Sequence, residues 1–68
     1  MNYVEQKERA ISLADGQPFS QWIGECQLNG IDKAVLQDWH KWKSAGQLHA
    51  ELRKGADGFE LLVTKGGE

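Results

Sequence analysis

The sequence predicts an α+β domain: three helices, the last two forming a helix-turn-helix, followed by a C-terminal β-hairpin. Three observations carry this. Between Pro18 and Gly46 apolar residues recur at helical spacing in two segments separated only by Asn29-Gly30. After Gly46 the spacing changes to alternation, the period of a strand, in two short runs. The chain has only 68 residues, which confines it to one domain, because a chain of this size buries only about 60% of its unfolded surface.

The first helix is expected over residues 3–14, where Val4, Ala10, Ile11 and Ala14, with Leu13 beside them, supply an apolar stripe. Its opening turns are charged and open to fraying, and Asp15-Gly16 ends it. The second helix is expected over 18–28. Phe19, Trp22, Ile23 and Cys26 fall at i, i+3, i+4 and i+7 on one face, and Pro18 suits the first turn, where its missing N–H would be unpaired anyway. Asn29-Gly30 ends it with residues that tolerate positive φ. The third helix is expected over 32–45, with Asp32 as N-cap and Ile31 placed to pack on Leu36 as a hydrophobic staple. Val35, Leu36, Trp39 and Trp42 gather on its dry side, and Lys33, Gln37, His40, Lys41 and Ser44 on its wet, mildly basic side.

The hairpin is expected over 47–64. Leu48, Ala50 and Leu52 alternate with His49, Glu51 and Arg53, and Phe59, Leu61 and Val63 alternate with Glu60, Leu62 and Thr64, across the loop Lys54-Gly55-Ala56-Asp57-Gly58. The tail from Lys65 to Glu68 reads as frayed. One core is expected to hold Phe19, Trp22, Ile23, Val35, Leu36, Trp39, Leu52, Phe59 and Leu61, with Trp42 the tryptophan nearest the surface.

Charge and cysteine usage narrow the function. The formal net charge is -2, unlike the strongly basic balance of many nucleic-acid-binding domains, but a local basic face is compatible with it. The single cysteine, Cys26, reads as a small core hydrophobe, and one cysteine excludes a disulfide framework. With no apolar run of membrane-spanning length and no signal-peptide pattern in MNYVEQKERA, the chain reads as cytosolic, with no membrane partner. His40 and His49 have no carboxylate at metal-ligand spacing, and no nucleophile-base order or glycine-rich phosphate loop occurs. No catalytic residue, metal or cofactor is therefore expected.

A helix-turn-helix followed at once by a hairpin is the arrangement of a winged helix. The segment from Gly30 to Trp39, GIDKAVLQDW, resembles the G-V-S-x-x-T-L-R-x-W pattern of the MerR-like and phage-excisionase winged helices. Gly30 matches the turn glycine, Ile31 the apolar residue after it, Asp32 the capping residue, Leu36 the core leucine and Trp39 the tryptophan. Gly58-Phe59-Glu60-Leu61 is similar to the family's G-Y-R-x entry into the second wing strand. The match spans Gln21 to Val63. Gln37 stands where the family usually carries a DNA-contacting arginine, Asp38 where an aromatic or basic residue often sits, and Glu60 where the wing is basic. The last predicted helix also runs about one turn longer than the family's.

The resemblance implies double-stranded DNA as partner, with the third helix in a groove and the hairpin along the backbone. The residues that would meet it are Lys33, Gln37, His40, Lys41 and Ser44 on the helix and Arg53 and Lys54 on the hairpin, Gln and Lys being suited to adenine and guanine edges. The expected role is a small accessory or regulatory factor of the excisionase or repressor kind. The departures at Gln37, Asp38 and Glu60 support a second expectation, a winged-helix-like module that binds a protein partner or a second copy of itself, with DNA binding lost.

Overall fold

The computed structural model describes residues 2–66. Along the chain it forms α1 (Tyr3–Leu13), β1 (Asp15–Pro18), α2 (Phe19–Leu28), α3 (Lys33–Leu36), α4 (Trp39–Ser44), β2 (Leu48–Gly55) and β3 (Gly58–Lys65). The class is α+β, with helices packed on a three-stranded antiparallel sheet of order β1-β3-β2.

The first helix starts on a capping box rather than frayed turns. Asn2 Oδ1 accepts the Glu5 N–H at 2.9 Å, and Glu5 Oε1 accepts the Asn2 N–H at 3.2 Å. Its far end is satisfied from elsewhere in the fold. Of the last four carbonyls, which no helical N–H can reach, that of Ala10 accepts the Trp22 indole N–H at 2.8 Å and that of Leu13 accepts Gln17 Nε2 at 2.8 Å.

In α2 the expected face is the buried one: Trp22 and Cys26 are enclosed, with Phe19 and Ile23 partly so. Gly30 then takes φ +82°, the Gly30 N–H bonds to the Gln27 carbonyl and the Ile31 N–H to the Cys26 carbonyl, both at 3.1 Å. This is a Schellman ending, which needs the left-handed backbone that glycine adopts without penalty. Gly46 repeats it after α4, with φ +79° and bonds from Gly46 to Lys43 and from Gln47 to Trp42.

Other expectations change as well. The segment 15–18 is a strand, not only a helix stop. Asp15, Gln17 and Pro18 lie opposite Thr64, Val63 and Leu62, with a register shift between Asp15 and Gln17, so the hairpin becomes two thirds of a larger sheet. The helix expected over 32–45 is divided, because the Asp38 N–H bonds back three residues to Val35 and α4 starts afresh from the Asp38 carbonyl. Asp32 sits at the start of α3, but its side chain makes no capping bond; its backbone N–H is held instead by Gln6 Oε1 at 2.7 Å. Finally, Lys65 belongs to β3 and the Gly66 N–H bonds to the Gln47 carbonyl at 3.0 Å, so that part of the tail is tied down; residues 67 and 68 lie outside the described residues.

The core consists of Ala10, Ala14, Trp22, Cys26, Ile31, Val35, Leu36, Trp42, Leu48 and Val63, with Phe19, Ile23 and Trp39 packed against it. Trp42, expected nearest the surface, is only 3% exposed, whereas Trp39 is half-buried. The interruption at Gln37-Asp38 accounts for this, since it resets the face that the following helix turns inward. An aromatic chain crosses the core: Trp39 meets Phe19 at 4.9 Å between ring centroids, Phe19 meets Trp22 at 5.8 Å, and Trp22 meets Trp42 edge-on at 6.5 Å. Leu52 and Phe59, expected in the core, are 64% and 70% exposed. They share the sheet face of Ala50 and Val63, but lie on the part of the hairpin that projects past the helices.

Candidate nucleic-acid interface

The surface expected to meet DNA is assembled from three consecutive elements. Lys33 opens α3, Gln37 occupies the turn between the two short helices, and His40, Lys41 and Ser44 lie on α4. Arg53 and Lys54 stand near the end of β2, the strand against which α4 packs. All seven side chains are exposed.

They do not form one continuous helical face. Because the helix is interrupted after Leu36, Lys33 and Gln37 belong to one short segment and His40, Lys41 and Ser44 to another. Arg53 and Lys54 are also parted, since successive strand residues point to opposite faces of a sheet. Lys54 lies opposite Phe59 on the helix side, while Arg53 lies opposite Glu60 on the far side. A body docking against α4 and the helix side of the hairpin therefore meets Lys54 and not Arg53.

The charges are locally modified. Asp38 Oδ2 accepts the Tyr3 hydroxyl proton at 2.6 Å, and Asp38 Oδ1 lies 3.8 Å from Lys41 Nζ. Tyr3 Oη in turn accepts the Trp42 indole N–H at 3.3 Å. The chain Trp42-Tyr3-Asp38-Lys41 joins the start of α1 to the junction of α3 and α4. It gives Asp38 a structural reason to be acidic where the resembling families carry a basic or aromatic residue, and it partly neutralises Lys41. The Asp38 carboxylate beside it raises the Tyr3 phenol above its ordinary value, against a smaller lowering from Trp42. His40 stacks edge-on to Trp39 with 6.2 Å between ring centroids, which orients the ring from one side and leaves the imidazole exposed.

Two lysines escaped the sequence reading. Lys43 falls outside the wet face of an unbroken helix, and Lys65 falls in a tail that reads as frayed. With His49, Thr64, Leu48 and Ala50 they border one depression at the start of β2, and among the described residues no acidic side chain lines it. Lys41 and Lys43 both lie in the last turn of α4, where cations oppose the negative end of the helix dipole. That positional preference applies to both lysines alike and does not by itself distinguish Lys43.

Among the described residues no cluster of three or more His, Cys, Asp or Glu side chains is arranged to hold a metal ion. No helix among them is long and apolar enough to cross a membrane. Comparison with protein-family models, with curated proteins and with solved structures finds no match for this chain.

Proposed function

We propose that the protein is a small DNA-binding accessory or regulatory factor that approaches a duplex with α3, α4 and the helix side of the hairpin. The observation that carries this reading is the exposure of Lys33, Gln37, His40, Lys41, Ser44 and Lys54 on consecutive elements, while Asp38, the acid at the junction of α3 and α4, is held by Tyr3 and Lys41. Lys43 joins the group. The order helix, strand, three helices, strand, strand supports the winged-helix resemblance if the two short helices α3 and α4 together stand for its one groove-entering helix and the hairpin for its wing. Lysines here supply phosphate attraction without sequence information, and Gln37 and His40 are the groups suited to base edges. Titration of the labelled protein with a random duplex at low ionic strength tests this: amide shifts confined to residues 33–46 and the hairpin are expected, and their absence overturns it.

A second reading is favoured by Leu52 and Phe59, which lie exposed on one face of the hairpin. Exposed apolar side chains grouped on one element mark a protein contact. In this reading the hairpin serves a protein partner, and the basic surface of α4 is an ordinary solvated face.

A further inference from the structure

The two edges of the sheet are not alike. The edge formed by β1 is blunted in the ways that prevent strands from adding to it: it is four residues long, its register shifts between Asp15 and Gln17, and it ends in Pro18. The edge formed by β2 has none of these devices. It runs eight residues, pairs with β3 in unbroken register from Leu48 to Gly55, and among the described residues has no strand on its other side.

Opposed residues in an antiparallel ladder alternate between pairs that exchange hydrogen bonds and pairs that do not. Gly55 and Gly58 close the two-residue loop Ala56-Asp57, so the exchanging pairs are Gly55 with Gly58, Arg53 with Glu60, Glu51 with Leu62 and His49 with Thr64. The backbone groups of Leu48, Ala50, Leu52 and Lys54 consequently face the open edge.

We propose that β2 pairs antiparallel with β2 of a second copy about a two-fold axis at Leu52, joining two three-stranded sheets into one of six. The proposal deepens the protein-contact reading and rests on it; the partner is this same chain. Charge selects the register. Centring on Glu51 sets Glu51 against Glu51, and centring on Arg53 sets Arg53 against Arg53. Centring on Leu52 sets Glu51 against Arg53 twice, as a self-complementary interface requires. The same register aligns Leu61, Leu52 and the second copy's Leu52 and Leu61 in one row on the helix side. That row covers side chains the single chain leaves in water, Leu52 being 64% exposed.

Sedimentation equilibrium without DNA, from micromolar to near-millimolar protein, tests the pairing. The wild-type chain is expected to dimerise, and Glu51→Arg and Arg53→Glu are each expected to weaken the dimer by about tenfold, the order of two cross-strand charge pairs turned repulsive. An equimolar mixture of the two variants restores opposite charges at both positions and is expected to dimerise as the wild type does. A role in folding alone gives no such rescue. A wild-type chain that stays monomeric throughout, or folded variants whose mixture associates no better than either alone, overturns the proposal. If either variant fails to fold, amide exchange at Leu52 and Lys54 in the wild type decides: slowing as concentration rises supports the pairing, and unchanged exchange overturns it. Failure here leaves the DNA reading to its own titration.

Discussion

Tyr3 donates a 2.6 Å hydrogen bond to Asp38 across 35 positions of sequence, pinning the first turn of α1 to the point where the third predicted helix is interrupted. Tyr3 is the only tyrosine, so its ionisation can be followed by ultraviolet absorbance. The carboxylate favours the neutral phenol, so the native protein should ionise Tyr3 at higher pH than the unfolded chain does. By linkage, that contribution to stability is complete below the unfolded value, about 10, and is lost as pH rises through the native one. Asp38→Asn should lower the native midpoint, and a midpoint equal in wild type and variant would show that the bond does not form in solution.

Trp22 is fully enclosed and also completes the α1 carbonyl end through Ala10. Trp22→Ala should cost about 3–5 kcal/mol, the range for large aromatic truncations in cores. Trp22→Phe keeps most of the apolar contact but leaves the Ala10 carbonyl unpaired, and should cost about 1–3 kcal/mol. Trp39→Ala should cost less than Trp22→Ala, because Trp39 is only half-buried. Denaturant melts give all three values.

Cys26 is enclosed in the core, and burial pushes its thiol up to about 11, with a smaller contribution from the Glu25 charge. Alkylation at pH 8 should therefore proceed only through unfolding, since the thiolate is the reactive form. A raised thiol pKa stabilises the fold fully below the unfolded value near 9 and is lost as pH rises from there towards 11. Cys26→Ala should flatten that alkaline decline; rapid alkylation of the native protein would place the thiol at the surface.

Gly46 ends α4 with φ +79°, and Gly46→Ala should destabilise by roughly 1–2 kcal/mol through the left-handed backbone alone. At Gly66 the obstacle is space: an added Cβ would stand 2.7 Å from the Gln47 carbonyl carbon and 2.8 Å from that of Gly46. Gly66→Ala should break the Gly66–Gln47 bond, visible as faster exchange of the Gly66 amide.

How far the fold was legible in the sequence differs by element. The face of α2, its Asn29-Gly30 ending and the period-2 hairpin rest on local rules, and the structure follows them. Asp15-Gly-Gln-Pro18 carries no strand signal, being built of turn formers, and is a strand only because β3 offers it an edge. The break at Gln37-Asp38 has no proline or glycine to announce it; its visible anchor is Tyr3, 35 positions away. Alternation identifies which side of the hairpin is apolar, but not how far along the strands the helices reach, and the core ends before Leu52 and Phe59. At the candidate site the exposure of Lys33, Gln37, His40, Lys41 and Ser44 was legible from helical spacing. The separation of Arg53 from Lys54 also follows from that alternation, while the contribution of Lys43 depends on the divided helix.

The most direct measurement of the DNA-binding account is duplex affinity as a function of salt for the wild type and for Lys43→Gln/Lys54→Gln. Phosphate contacts by Lys33, Lys41, Lys43 and Lys54 predict a logarithmic slope of about -3 to -4, reduced by about 2 in the double variant. No binding of the folded wild type at low salt, or a slope unchanged in the double variant, would contradict the account.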